Sequence, residues 1–258
     1  MGGPTLNDRV ALVTGVSRRR GIGFAIAERL ASSGADLFLH SFAPYDSEQP
    51  WGADPQGVSG LVETLRAHGR RVEHLSADFS QPDSPERVVA AALAAFGHLD
   101  ILVVNHAYST AGALEDLEAR DIDLHMTVNV RASLLLIKGF AAQHKAGQGG
   151  RIVWMTSGQH LHPMPEELSY VASKGALHQL TLSLSAHLAA RGITVNAVNP
   201  GATDTGYADA ELHDAVLQRS PQGRWGQPED AARLVAWLAS DEAGWITGQV
   251  INSTGGGV

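Results

Sequence analysis

Short apolar runs alternate with amphipathic stretches along the whole chain. Val10-Ala11-Leu12-Val13-Thr14, Leu37-Phe38-Leu39-His40, Ile101-Leu102-Val103-Val104, Ile152-Val153-Trp154-Met155 and Ile193 to Val198 read as strands buried on both faces. Arg71 to Asp78 and Gln249 to Asn252 complete a set of about seven. Between them the apolar period lengthens to that of helices. Phe24, Ala25, Ile26, Ala27 and Leu30 form one such stretch, closed by Gly34. Val58 to His68 forms another. A third runs from Ser84-Pro85-Glu86 to Gly97, with Ser84 as its cap and proline at its first position. Ala119 to Lys145, carrying Asn129, is a long helical stretch. Leu177, Leu180, Leu184 and Leu188 form one apolar face of the helix that Tyr170 opens, and Pro228-Glu229-Asp230 starts the last. Two segments lack periodicity. Ser41 to Gly60 is turn-rich and predicts a surface loop or a lid, in which Trp51 packs on the body or on a ligand. Ala202 to Gly226 is the other. Strands that alternate with helices predict a doubly wound parallel α/β sheet with helices on both faces. No repeat or linker divides the chain, so residues 1–258 are expected to form one domain.

Composition narrows the class. The 258 residues are 44% hydrophobic, enough for a sizeable core. There is no cysteine, which removes disulfides and cysteine zinc sites. A net charge of −8 disfavours nucleic acid and anionic membranes as partners. No apolar run is long enough for a membrane helix, and the first residues show no signal peptide, so a cytoplasmic protein is expected. The 12 histidines are scattered, and none forms a metal-binding pair beside a carboxylate.

The chemistry lies at the ends of the strands. Gly15-Val16-Ser17-Arg18-Arg19-Arg20-Gly21-Ile22-Gly23 joins the first strand to a helix. Taken alone it fits an ordinary turn. In the context of strand, turn and helix it predicts a dinucleotide site, with backbone N–H groups and a helix N-terminus facing a pyrophosphate. Asp78, Asn105, Ser157 and Pro200-Gly201 fall at the same carboxyl edge, where ligands bind in such sheets. Tyr170 and Lys174 are four residues apart, on one helix face. An ammonium at about 4 Å in an effective dielectric of about 20 favours a phenolate by roughly 4 kcal/mol, on the order of three pKa units. Tyr-x-x-x-Lys by itself also describes ordinary helix surface; the convergence at one edge carries the argument.

Together, Thr14-Gly15 to Gly21-Ile22-Gly23, Asp78, Asn105, Asn129, Ser157, Tyr170 with Lys174, and Pro200-Gly201 resemble the short-chain dehydrogenase/reductase family over essentially the whole chain. Ser157 stands thirteen residues before Tyr170, which matches the family. The resemblance is nearest to members described as 3-oxoacyl-(acyl carrier protein) reductase-like. An enoyl reductase is a weaker match, because that branch spaces its Tyr and Lys further apart. The resemblance implies a Rossmann-type fold and an oxidoreductase that moves a hydride between a nicotinamide cofactor and a carbonyl or secondary alcohol. It implies that Tyr170 exchanges the proton and that Lys174 lowers its pKa and holds the ribose. Ser157 would bind the substrate oxygen, and Asn129 a water that links Lys174 to solvent. Asp78, with Phe79 beside it, would take the adenine amino group. Thr203 and Thr205 would take the carboxamide, and residues 202–226 would form a substrate lid. Family members are commonly tetramers, so a homotetramer or homodimer is expected.

Two departures stand out. Five residues separate Gly15 from Gly21, where the family usually has three, and Val104-Asn105-His106-Ala107 replaces Asn-Asn-Ala-Gly. His106 fits a bulky replacement in a turn better than a catalytic group. The end of the second strand reads His40-Ser41, without the acid that would bind an NAD ribose, while Arg18 and Arg20 lie where a guanidinium can pair a 2′-phosphate. NADP(H) is therefore favoured, and NAD(H) remains open if Asp46 or Glu48 folds back from the long segment. The alternatives are a sugar, polyol or other small-alcohol dehydrogenase using NAD, and a nucleotide-sensing regulator without turnover. A phosphoryl-transfer enzyme is excluded by the lack of Gly-x-x-x-x-Gly-Lys.

Overall fold

The computed structural model describes residues 5–144 and 149–257. The expected helix end at Lys145 therefore lies outside the described residues. Seven strands form one sheet: β1 (Val10–Val13), β2 (Asp36–Ser41), β3 (Val72–Ser76), β4 (Ile101–Val104), β5 (Arg151–Met155), β6 (Thr194–Asn199) and β7 (Val250–Asn252). Their order is β3-β2-β1-β4-β5-β6-β7, and every neighbouring pair is parallel. The order reverses beside β1, between β2 and β4, which opens a crevice at the carboxyl edge.

Alternation along each strand feeds two cores. Ala11 and Val13 point to one, with residues of α1 (Ile22–Ser32), α3 (Gly57–Arg66) and α8 (Pro228–Leu238). Val10 and Leu12 point to the other, with α4 (Ser84–Phe96), α6 (Ala132–Gln143) and α7 (Leu168–Leu188). Leu12, Leu136 and Trp154 are fully buried, and each such side chain stabilises the fold by about 1.5–3 kcal/mol. The Trp154 indole N–H is not lost in the core, since it donates to Thr181 Oγ1 at 2.9 Å. Leu177 and Leu188 are buried on the inner face of α7, with Leu180 and Leu184 packed beside them. The opposite, amino edge of the sheet is held by charge. Arg9 pairs with Asp100 at 3.7 Å and with Asp241 at 2.8 Å, and Arg151 meets the same Asp241 at 3.1 Å.

Three local expectations change. Asp83, not Ser84, occupies the cap position of α4; Ser84 is already helical, and its buried hydroxyl has no partner among the described residues. The 41–60 segment is not all loop: Ala43–Ser47 forms a short helix, α2, and Gly57 already belongs to α3. The long stretch from Ala119 is two helices, α5 (Ala119–His125) and α6, joined by a π-turn over Met126–Arg131 that carries Asn129. Such wider turns interrupt the regular hydrogen-bond ladder and recur at functional sites.

Candidate active site

At the carboxyl edge, the β1 turn is packed against β4 so closely that it must be glycine. Gly15 has φ +73°, and a Cβ there would meet the His106 backbone at 2.8 Å. A Cβ on Gly23 would collide with the Gly15 carbonyl oxygen and with Asn105 Nδ2. Asn105 braces the turn, donating from Nδ2 to the carbonyls of Thr14 and Gly15 at 3.1 Å each. α1 begins just after Gly21 with no acid in its first turn, so its free N–H groups and positive end face the cleft undiluted. The crevice measures about 560 Å³. Gly15, Gly21, Ile22, Gly23, Asn105, Asp78 and Phe79 line it, as do Ser17, Arg18, His40 and Thr205. A backbone cradle of this kind fits a pyrophosphate. At the far end Asp78 accepts from the Ser80 N–H at 2.8 Å and from its hydroxyl at 2.7 Å, which fixes the carboxylate and leaves it lone pairs for a further donor.

His40 and His106 form the cleft's back wall around Phe79. His40 stacks on Phe79 with 3.9 Å between centroids, and His106 meets the same ring edge-on at 4.5 Å. Each imidazole has Nε2 against a carbonyl, Ala77 for His40 at 2.8 Å and Val128 for His106 at 2.9 Å, so Nε2 carries the proton. Nδ1 then accepts, from the Gly15 N–H in His40 and from the Thr14 hydroxyl in His106. Burial lowers His40 to about 4 and holds His106 well below the usual imidazole range, so both are neutral. His106 thus ties the β1 turn to the π-turn. It acts as a bracket, and nothing aims it at a reacting atom.

The lengthened arginine turn and the long segment after β2 prove to be partners. Asp54 accepts from the Arg19 backbone N–H at 2.8 Å, and the Arg19 side chain reaches Thr64 and Gln56. Asp46 folds back as the alternative reading required. Its carboxylate accepts from the Ser17 hydroxyl and the Trp51 indole N–H on the crevice wall and keeps lone pairs for a further donor. Trp51 packs over the Arg18 guanidinium at 5.4 Å, on the cleft wall. Among the described residues, Arg18 makes one hydrogen bond, to the Thr205 carbonyl at 2.6 Å, so most of its N–H donors are unspent. Arg20 departs from expectation. It pairs with Asp204 at 2.8 Å, outside the cleft wall, because its position in the turn points it at the 202–226 segment.

The remaining chemistry gathers beside this cleft. α7 brings Tyr170 and Lys174 onto one face, with Lys174 Nζ 5.6 Å from the Tyr170 ring centre. Ser157, just past the end of β5, stands beside the Tyr170 phenol and draws its pKa downward. Lys174 is buried and donates to the Met155 carbonyl at 2.9 Å; desolvation lowers it to about 8. Lys174 does not depress Tyr170 in this arrangement. Burial pushes the phenol upward and outweighs the lowering influence of Ser157, so the free site holds a protonated tyrosine. Asn129 is buried and braces this face, accepting from the Tyr108 N–H at 2.7 Å and donating to Ser173 Oγ at 2.9 Å. Among the described residues it makes no hydrogen bond to Lys174.

Beyond Arg20, Tyr170 and Lys174, four more expected cofactor residues stand away from the crevice wall. Ser41 turns its hydroxyl to His74 at 2.7 Å, across the sheet. Thr203 is buried, with its hydroxyl on the Pro200 and Gly201 carbonyls at 3.2 Å each, so it shapes the turn at the end of β6. Pro200 borders a separate polar pocket of about 240 Å³ behind that turn, and Gly201 packs against Thr254. Other residues near Tyr170 went unnoticed in the sequence. Tyr45 holds the backbone of Ser109, accepting from its N–H and donating to its carbonyl. Buried His125 stands edge-on to Tyr170 at 6.3 Å and to Tyr108 at 4.9 Å. Glu167, three residues before Tyr170, carried a readable signal in its helical spacing. The others meet only in the folded chain.

Comparison with known proteins agrees with this geometry. A family model described as enoyl-(acyl carrier protein) reductase matches residues 15–257. "Uncharacterized oxidoreductase YjdA" of Bacillus subtilis (strain 168) is 42% identical over 251 residues, 96% of each chain. "Dehydrogenase/reductase SDR family member 4" of Homo sapiens is 34% identical over 97% of this chain and 88% of its own. A short chain dehydrogenase from Burkholderia cenocepacia J2315, solved in complex with NADP, superposes with a TM-score of 0.85 at 38% identity, over 97% of this chain and 98% of its own. The chain belongs to the short-chain dehydrogenase/reductase family of oxidoreductases.

Proposed function

We propose that the protein interconverts a carbonyl and a secondary alcohol by hydride transfer with NADP(H). The observation that carries this reading is the set of Tyr170 with Ser157 beside it and a buried Lys174 one helical turn on, next to the glycine cradle. The bound nicotinamide supplies or accepts the hydride. The chain's own residues handle the oxygen. As hydride reaches a carbonyl carbon, negative charge grows on the oxygen, and a hydroxyl and a phenol aimed there stabilise it. Ser157 fixes the oxygen, and Tyr170, kept protonated by burial, gives it the proton. Lys174, held by Met155, would hold the ribose of the bound cofactor. Asn129 positions this face through Tyr108 and Ser173.

Arg18 under Trp51 supports NADP(H) over NAD(H), because a planar guanidinium with unspent donors suits a 2′-phosphate. The similar Burkholderia protein, solved with NADP, points the same way. The Tyr170-x-x-x-Lys174 spacing favours carbonyl over enoyl reduction. A 3-oxoacyl thioester is one candidate substrate, and a sugar, polyol or other small alcohol is another. A cofactor sensor without turnover has no use for the Ser157–Tyr170–Lys174 set. Residues 202–226, joined to the arginine turn through Thr205 and Asp204, would serve as the substrate lid, and we place the active unit as a homotetramer.

The test is NADPH oxidation with a panel of carbonyls: a 3-oxoacyl thioester, a small diketone and a keto sugar. Tyr170→Phe should lower the rate on any accepted carbonyl by about 10²- to 10⁴-fold. A variant that keeps the parent rate would sink the assignment of the proton to Tyr170.

A further inference from the structure

His106 puts a buried imidazole into the crevice wall and engages both ring nitrogens. Neither the hydride nor the proton transfer uses it. Its bonds lead elsewhere. On one side is the Thr14 hydroxyl at 2.8 Å, next to the glycine turn. On the other is the Val128 carbonyl at 2.9 Å, inside the π-turn of Met126–Arg131. A widened helical turn lasts only while its backbone groups find partners away from the regular ladder. Val128 finds His106, and the Asn129 carbonyl finds the Ser133 hydroxyl at 2.6 Å.

From Asn129 the bonds continue. Its side-chain amide accepts from the Tyr108 N–H at 2.7 Å and donates to the Tyr108 carbonyl at 2.9 Å. The loop after β4 is thus pinned to the π-turn twice, by the imidazole and by this amide. The same Nδ2 donates to Ser173 Oγ at 2.9 Å, and Ser173 Oγ donates to the Tyr170 carbonyl at 2.8 Å, in the first turn of α7. Thr14, His106, Asn129 and Ser173 are all buried. A run of buried polar contacts therefore leads from the end of β1, through the π-turn, to the backbone of Tyr170. Cutting such a run costs more than losing a surface bond, because the groups left behind stay out of water without partners.

Resting on the carbonyl reading above, we propose that His106 is a positioning residue for the reaction: by holding the Val128 carbonyl it sets the π-turn, and through Asn129 and Ser173 it sets the first turn of α7, which carries Tyr170. It exchanges no proton itself. An apolar side chain of similar volume would fill the same space and lose the hold.

The experiment compares the parent with His106→Leu, which fills the space without polar atoms, and His106→Gln, which keeps a donor and an acceptor. Amide hydrogen exchange is read first, on the protein without cofactor. In His106→Leu, exchange over 126–131 and over 168–174 should quicken by about tenfold or more, while β5 keeps the parent rate; His106→Gln should stay within about threefold of the parent. Turnover with NADPH and an accepted carbonyl is read second. His106→Leu should lower kcat by about tenfold with both KM values within about threefold, and His106→Gln should recover most of the loss. A side chain that only stabilises the fold would quicken exchange everywhere and leave kcat per folded molecule unchanged. Unchanged exchange in His106→Leu, a rise confined to 126–131, or an unchanged kcat overturns the proposal. Should His106→Leu not fold, Ser173→Ala cuts the far end of the run, and parent-like exchange over 168–174 with parent-like kcat there overturns it equally. If the parent reduces no carbonyl of the panel, the carbonyl reading falls, and the exchange measurement still decides whether His106 holds the π-turn and α7 together.

Discussion

Desolvation takes the Lys174 ammonium from 10.5 to about 8, and that shift is also a statement about stability. Below about pH 8 both folded and unfolded chains carry the charge, and the folded one carries it out of water, so the cost is complete. Between pH 8 and 10.5 the folded state releases its proton first and the cost fades; above that range it is gone. The shift corresponds to about 3 kcal/mol. Lys174→Met should therefore raise stability at pH 7, by up to that amount less the lost bond to the Met155 carbonyl. The advantage over the parent should shrink as pH rises from 8 towards 10. Urea denaturation at both ends of that range measures it, and a pH-independent difference would contradict the burial argument. Tyr170 makes the companion point. Its four-residue spacing to Lys174 was legible from sequence, but the sign of its pKa shift was not. Whether a neighbouring ammonium or burial dominates depends on how much protein surrounds the phenol, and spacing carries no information on that.

Among the elements, the turn between β1 and α1 and the segment after β2 have to be understood together. Each looked irregular alone: two extra residues in one, and too many prolines and glycines in the other. Folded, they interlock through Ser17 with Asp46, Arg19 with Asp54, and Arg18 with Trp51. The arginines consequently divide their duties. Arg18→Ala should weaken NADPH binding at least tenfold and NADH binding little, since it removes a charged partner for the 2′-phosphate alone. Arg20→Ala should leave the ratio of the two affinities unchanged, because its guanidinium is engaged by Asp204. Titration of each variant with both nucleotides checks this; an equal loss of both cofactors in Arg18→Ala would reject the NADP(H) assignment. The sequence located this turn through its glycines and the strand–helix context. It did not separate Arg18 from Arg20, because neighbouring side chains in an irregular turn diverge in directions that only the partner segment fixes. The π-turn at Met126–Arg131 escaped for a similar reason: its residues are ordinary helix formers, and what widens the helix is bonding to its surroundings, including His106 on the Val128 carbonyl.

For the molecule as a whole, the apolar runs placed β1, β2, β4, β5 and β6, since strands buried on both faces announce themselves by length and continuity, while the edge strands β3 and β7 are only partly buried and were legible from their context. Side-chain type and strand ends then placed the glycine cradle, Asp78, Asn105, Ser157, Tyr170 and Lys174. Residues near Tyr170 such as Tyr45, which follows β2, and Tyr108 and His125, which follow β4, had no shared signature. Assembly is a further matter of scale. Leu182 and Trp245 remain 65% and 98% exposed on the single chain, and a homotetramer would give such surface a place to go. Light scattering should then report a mass near four times 27.2 kDa; a monodisperse single-chain mass would reject the tetramer.

The ion-paired amino edge, where Arg9, Asp100, Arg151 and Asp241 meet, has an evolutionary consequence. It fastens the sheet at the end remote from every group that handles cofactor or substrate. Connections and side chains at the carboxyl edge are thereby released from the task of keeping the strands in register. A lineage of such proteins can exchange an inserted turn, a strap or a single carboxyl there, and so acquire new specificities, while the fastened end goes on specifying the same architecture.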